Sequence, residues 1–187
     1  MKFTQSPILP DVILIDPDIH TDPRGRFLET YRAAIYADNG IPETFVQDNL
    51  SYSAQGVLRG LHYQCTQAQG KLVWVVSGQV FDVAVDIRVG SPTFGRWVGI
   101  MLSSKKHNQI YVPEGFAHGF CVVSNTATVA YKCTRYYAPQ HDRGIRWNDP
   151  ALGIDWPVSN PILSEKDQSH HCLESIPASE LPTYTVI

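Results

Sequence analysis

At 187 residues, 43% hydrophobic and 18% charged, the chain reads as one soluble domain, residues 1–187, long enough to bury a core without staples. Its net charge of −3 and the absence of any Lys/Arg run exclude nucleic acid as an expected partner and leave an anionic ligand to a few placed arginines. Four cysteines without a C-x-x-C pair, no apolar leader, and no apolar run near the roughly 18 residues that cross a bilayer predict a cytoplasmic protein with reduced thiols and no membrane partner.

Taken in chain order, helical signal is scarce. The best helix spans Glu29 to Asn39, with Gly40 placed to end it. Strand signal then dominates. Leu72 to Val76 is followed by Ser77-Gly78, which reads as a hairpin turn into Val80 to Arg88. There Phe81, Val83, Val85 and Ile87 alternate with Asp82, Ala84 and Asp86, the period of a half-buried strand. Further strands are expected at Trp97–Leu102, Gln109–Val112, Phe120–Val123 and Ala127–Tyr137, and a weak helix start at Ser164-Glu165-Lys166-Asp167. Short strands separated by Gly, Pro and Asn turns predict an all-β antiparallel sandwich or barrel, of which a jelly roll is one closed solution with an internal cavity.

The common catalytic signatures are missing. No G-x-G-x-x-G, G-x-x-x-x-G-K-[ST], G-x-S-x-G, H-E-x-x-H or H-x-H occurs. Rossmann cofactor binding, a P-loop and the usual hydrolase and metal sites are therefore not expected. What stands out instead is polar groups set within apolar strands. Arg59 and His62 share the segment Gly56 to Gln64, where strict alternation sends them to opposite faces. Gly60 between them is placed to host a bulge that re-aims one of them. His118 stands at the mouth of a strand, and Tyr131 shares an inward face with Val129 and Cys133.

A series of segments then becomes specific. Arg24 to Glu29, Phe45 to Ser51, Gly56 to Gln64 and Gln69 to Val73 are followed by Asp82 to Arg88 and Ser91 to Gly95. Gly115 to Phe120, Tyr131 to Thr134 with Tyr136-Tyr137, Gly144 to Pro150, and Leu163 to Asp167 complete it. Together, in this order, they resemble the dTDP-4-dehydrorhamnose 3,5-epimerase family of the cupin superfamily. The resemblance implies a cupin jelly roll (double-stranded β-helix) with a few short peripheral helices. It also implies a homodimer, no cofactor and no metal, and a dTDP-4-keto-6-deoxyhexose epimerised at C3 and C5. By the same resemblance His62 is the base, Asp167 the carboxylate that orients it, Tyr131 the opposing acid and Lys71 the cation beside the C4 oxygen. Arg24, Glu29, Gln47, Asn49, Arg59, His118, Asp142 and Lys166 correspond to substrate contacts. The chain departs from the family pattern at Cys65-Thr66-Gln67-Ala68, where prolines are common, and at Asp142, where Glu is common.

Elementary chemistry fits these roles. C3 and C5 both flank the C4 ketone, so loss of either proton gives an enolate. An imidazole with an ordinary pKa of about 6.5 abstracts protons near neutrality. A cation at the keto oxygen stabilises the charge that grows there. A phenol with an ordinary pKa of about 10 stays protonated and returns a proton from the other face. Arginines such as Arg24 and Arg59 suit bidentate contact with a diphosphate.

Each of these residues also has a structural reading. His62 and Tyr131 read equally as satisfied core residues, Lys71 as solvated, and Asp167 with Ser164 as a capping-box start. His118 lies in P-x-G-x-x-H, half of a second cupin metal motif whose first half, H-x-H, is absent. His170 and His171 read as solvated tail residues, Asp82 and Asp86 as strand residues with structural partners, and Cys121 and Cys133 as small buried hydrophobes. Three other functions compete: an epimerase acting at one carbon only, a non-catalytic cupin that binds a nucleotide sugar, and a metal-dependent cupin oxygenase or isomerase.

Overall fold

The computed structural model describes residues 1–185. Two antiparallel sheets face each other. One is six-stranded, in the order β1 (Lys2–Gln5), β2 (Ile13–Asp16), β10 (Gln109–Val112), β7 (Lys71–Ser77), β12 (Thr126–Cys133) and β5 (Gln47–Ala54). The other is five-stranded: β13 (Asp142–Gly144), β6 (Leu58–Gln64), β11 (Phe116–Val122), β8 (Gln79–Asp86) and β9 (Trp97–Ser103). A separate hairpin, β3 (His20–Asp22) and β4 (Gly25–Phe27), projects from the body with all six residues exposed. This is the all-β jelly roll, with helix among the described residues confined to α1 (Ala33–Asp38), α2 (Glu165–Gln168) and three short 3₁₀ turns.

One core lies between the sheets. Val73, Val75, Ile110, Val112 and Val129 from the first meet Val80, Leu102, Phe116, Phe120 and Val122 from the second. A second core, with Leu61, Val83, Val85, Ile87, Ala117 and Ile145, covers the outer face of the five-stranded sheet beneath the C-terminal segment. A third, under α1, joins Tyr36 and Ile41 to Ile13, Ile15, Leu72 and Tyr111.

Several expectations are corrected. Ser77-Gly78 is not a hairpin turn: β7 pairs with β10 and β12, whereas β8 pairs with β11 and β9, so the chain crosses between sheets there. Gly78 is required at the crossing, because it has φ +85° and a Cβ would stand 2.1 Å from the Thr126 carbonyl oxygen. The Val80–Arg88 strand is not half-buried. Its alternate residues enter two different cores, and its aspartates are sealed: Asp82 against His118, Asp86 against Arg88, Ser91 and Thr93. The helix begins at Ala33, not Glu29, because the carbonyl of Thr30 is taken by Tyr36 Oη at 2.8 Å and Gln109 Nε2 at 2.9 Å, which holds that stretch out of the helix. β11 starts four residues before the expected Phe120, and β12 ends at Cys133, leaving Tyr136 and Tyr137 beyond it.

Candidate active site

Register brings one set of polar side chains together. In the six-stranded sheet Tyr131 pairs with Asn49 on β5 and Val73 on β7, and Cys133 pairs with Gln47 and Lys71. Residues paired across strands share a face, and alternate residues along one strand do too. Gln47, Asn49, Tyr131 and Lys71 therefore stand side by side, all inward. From the facing sheet, β6 presents His62 and Gln64, and β13 presents Asp142, which pairs with Gln64. These side chains, with Tyr63, Gln69 and Tyr137, line a cavity of about 290 Å³. His62, Tyr137 and Asp142 also line an adjoining space of about 410 Å³, with Arg59, Ser164, Lys166 and Asp167. The two compartments meet at His62.

Arg59 and His62 reach the same space because β6 carries one extra residue against β11. His62 pairs with His118 and Arg59 with Phe120, so three steps on one strand match two on the other. Gly60 and Gly119 make that possible: a Cβ on Gly60 would come 2.6 Å from Gly119 Cα, and one on Gly119 would come 2.8 Å from the Arg59 carbonyl oxygen.

Asp167 is fixed by a short helix. Ser164 Oγ caps α2 by accepting from the Asp167 N–H at 3.1 Å, while the Asp167 carboxylate turns away to His62, with Nε2 to Oδ1 at 2.5 Å. The capping arrangement and the imidazole contact thus coexist. Burial alone would raise the Asp167 pKa, but the nearby His170 imidazole, the hydrogen bond from His62 and the Ser164 cap outweigh it and hold the carboxyl well below the usual range. With Nε2 engaged, the imidazole's other nitrogen is left for the cavity; His62 is 32% exposed and Asp167 4%.

On the opposite wall burial, then the Cys133 thiol, push the Tyr131 phenol up, against Arg59. Burial pushes the Lys71 ammonium down, opposed by Cys133, Asp142 and Asp82. Lys71 has no salt-bridge partner among the described residues. Asp142 accepts from Tyr137 Oη at 2.9 Å and from Lys166 Nζ. The Gln47 side-chain Oε1 accepts from the Tyr137 N–H at 2.8 Å, and Gln47 Nε2 donates to Asn49 Oδ1 at 3.0 Å. Arg59 Nε donates to Ser53 Oγ at 3.0 Å.

Not every expected residue joins this cluster. His118 faces inward beside His62, but both Asp82 oxygens hold its Nε2, at 2.9 and 3.0 Å, and it does not line the cavity. Arg24 lies on the exposed β3–β4 hairpin, paired with Asp22 at 2.5 Å, and Glu29 is paired with Arg32 at 2.6 Å. Both are outside the cavity of this chain. Sequence reasoning gave no role to Gln64 or Tyr137, although both lie in the segments that carried the family resemblance. His170, expected to be solvated, is instead nine-tenths buried beside Asp167, its Nε2 3.5 Å from Oδ1. Among the described residues, His62, Asp167 and His170 form the one group with spacing suited to a metal ion. The 2.5 Å approach of His62 to Asp167 is that of a direct hydrogen bond, shorter than the ~3.3 Å that separates ligands around a tetrahedral ion with bonds of about 2.0 Å.

Comparison with known proteins identifies the family. The family model described as dTDP-4-dehydrorhamnose 3,5-epimerase matches residues 7–175. A dTDP-4-dehydrorhamnose 3,5-epimerase from Neisseria gonorrhoeae is 57% identical over 160 residues, covering 85% of this chain; the chain spans about half (49%) of that relative's length. The enzyme of the same name from Pseudomonas aeruginosa is 56% identical over 170 residues, 90% of this chain and 93% of the relative. Among solved structures, a dTDP-6-deoxy-D-glucose-3,5-epimerase from Legionella pneumophila, crystallised with dTDP-4-keto-L-rhamnose, superposes with a TM-score of 0.96 at 50% identity and covers 99% of each chain. With an imidazole and a phenol on facing sheets of a jelly roll, and this likeness over nearly its whole length, the chain belongs to the dTDP-4-dehydrorhamnose 3,5-epimerase family.

Proposed function

We propose that this chain is an isomerase that takes dTDP-4-keto-6-deoxyglucose to dTDP-4-keto-L-rhamnose by inverting C3 and C5. His62 is the base, Asp167 orients it, Lys71 stands at the C4 oxygen and Tyr131 is the acid. The observation that carries this reading is the placement of His62 and Tyr131 on opposite sheets of one cavity, with Lys71 beside Tyr131.

The chemistry follows from the geometry. His62 donates through Nε2 to Asp167, so its neutral tautomer offers the other nitrogen as a base. When it takes the C3 or C5 proton, the adjacent carboxylate stabilises the imidazolium, as the aspartate of a hydrolase triad does. The electron pair moves to the C4 oxygen, where Lys71 supplies a fixed positive charge. Tyr131, kept protonated by burial, returns a proton to the opposite face of the carbon, which inverts it. Enolate formation and return of a proton balance without any redox partner.

The adjoining compartment, rimmed by Arg59 and Lys166, suits the diphosphate, and Gln47 and Asn49 offer amide contacts to sugar or pyrimidine. Arg24 and Glu29 reach substrate only if they come from a second copy. Support for a homodimer in which the β3–β4 arm does this lies in the apolar surface left open: Phe27 on the arm is 73% exposed, and Leu50 and Tyr52 on the edge strand β5 are each 67% exposed. A cytoplasmic setting fits four free cysteines, and no helix among the described residues is long and apolar enough to cross a membrane.

Incubation with dTDP-4-keto-6-deoxyglucose in heavy water, followed by proton NMR, tests the reading. Deuterium at both C3 and C5 with formation of the L-rhamno product is expected. Deuterium at one carbon would reduce the activity to a single epimerisation, and binding without exchange would remove the catalytic role.

A further inference from the structure

We infer that His170 is a positioning residue for the base: it shares the Asp167 carboxylate with His62 and so sets how strongly that carboxylate holds the catalytic imidazole. The inference rests on the reading of His62 as base. Its own evidence is a second imidazole built into the site. His170 Nε2 is buried, meets no well-aligned hydrogen-bond partner, and faces Asp167 Oδ1 at 3.5 Å, the same oxygen that His62 Nε2 meets at 2.5 Å. A buried imidazole N–H left without a partner costs free energy, so a shift of about 0.5 Å that closes this contact is favoured. The two rings also pack edge to face, with centroids 5.9 Å apart at 80°.

The local chain is arranged to hold that ring. The backbone after it is tied down where Arg146 N–H donates to the His171 carbonyl at 2.8 Å, and Ile145 bridges His171. Gly144, the register partner of His62 on β13, supplies the space: a Cβ there would lie 2.1 Å from His170 Nε2. Hence the absence of a side chain at position 144 admits the imidazole at 170.

The consequence is electrostatic. An N–H from His170, or its positive charge when protonated, draws on the Asp167 carboxylate that otherwise acts on His62 alone. Both forms weaken the hold of Asp167 on a protonated His62, and so ease release of the proton between turnovers. The other ionisable groups around His62 are Arg59 on its own strand, His118 with Asp82 on the neighbouring strands, and Asp142 with Lys166 and Tyr137 at the rim. Lys71 and Tyr131 stand on the facing sheet. None of these is altered by a change at 170 or 144.

The test compares His170→Phe, which fills the space without a donor, with His170→Gln, whose amide nitrogen falls near the position of Nε2, and with Gly144→Ala, which evicts the ring while leaving residue 170 intact. Wild-type exchange in heavy water is the reference, and its absence would fail the enzyme reading rather than this one. With exchange present, His170→Phe and Gly144→Ala are expected to lower kcat about tenfold, within the range for outer-shell partners of a catalytic group. KM should stay within about twofold, and the acid limb of the kcat profile should move to higher pH. His170→Gln is expected to restore most of both. Thermal unfolding reports folding for each variant. Wild-type kcat and an unmoved acid limb in a folded His170→Phe, or a His170→Gln no better than Phe, would overturn the proposal.

Discussion

Among the described residues, His62 and His118 are each hydrogen-bonded to an aspartate, and the two pairs differ in almost everything but composition. His62 and His118 are register partners on adjacent strands, facing the same way. His118 is bound by Asp82 from the next strand of the same sheet, at 2.9 and 3.0 Å, with side-chain exposures of 8% and 0%. His62 is bound by Asp167 from α2, outside the sheet, and remains 32% exposed at the junction of two compartments. A pair closed within one sheet is a cross-brace. A pair formed between a strand and an added segment leaves one ring nitrogen facing open space, and only that nitrogen can meet a substrate.

The largest effect should come from the open pair. His62→Ala is expected to lower deuterium exchange at both C3 and C5 by about 10²–10⁴-fold, the usual contribution of a general base, while the fold and dTDP binding survive. Exchange retained at either carbon would assign that carbon to another base. On the facing wall, Lys71→Met should lower kcat by about 10²–10³-fold, as loss of one preorganised oxyanion contact does, again without loss of dTDP affinity. Tyr131→Phe should separate two rates: exchange persists because abstraction needs only the base, and product formation falls further than exchange does. Equal loss of both, in a folded protein, would remove the phenol from the acid role.

The closed pair should answer differently. Asp82→Ala leaves a buried imidazole without its partner, and breaking a buried pair costs roughly 3–5 kcal/mol of stability. Chemical denaturation should record that loss, while exchange per folded molecule stays near wild type. If stability holds and KM for the nucleotide sugar rises instead, His118 is a substrate contact, the role its family resemblance implies.

This contrast also marks what the sequence disclosed. The strands of the inner core were legible because they are short, largely apolar runs bounded by turn residues: Gln109–Val112 is found as expected, and Leu72–Val76 and Trp97–Leu102 lie within β7 and β9. β5 was not, because its pattern is inverted. Gln47, Asn49, Ser51 and Ser53 face inward, and Leu50 and Tyr52 face out. A strand that lines a polar cavity and carries an exposed apolar face has the wrong sign for a hydrophobic-pattern argument, though the resemblance still picked out Gln47 and Asn49. The sheet crossing at Ser77-Gly78 was illegible for another reason: which strand a turn leads to is decided by pairing at long range, and a tight Gly turn serves a hairpin and a crossover equally. His170 was read as tail because nothing in Ser169-His170-His171 shows that Gly144, far away in sequence, leaves it a pocket.

The smallest expected effect isolates the open pair by its acid behaviour. In the folded chain Asp167 is held ionised well below the usual carboxylate range: burial opposes this, and the nearby His170 imidazole, the His62 hydrogen bond and the Ser164 cap prevail. A group whose folded pKa is depressed stabilises the fold above its unfolded value of about 3.9, and that stability is lost as pH falls further. Asp86 follows the same rule, with burial opposed by Arg88, Ser91 and Thr93. Replacing either aspartate by asparagine removes one titrating group, so the unfolding free energy should fall less steeply below about pH 4. The slope changes by at most about one proton, roughly 1.4 kcal/mol per pH unit. Urea unfolding at stepped pH reads this directly. The two variants should look alike in that measurement and part company in heavy water, where Asp167→Asn loses exchange and Asp86→Asn retains it. A wild-type slope in Asp167→Asn would mean that the imidazoles do not hold the carboxyl ionised, and the orienting role assigned to it would lose its electrostatic basis.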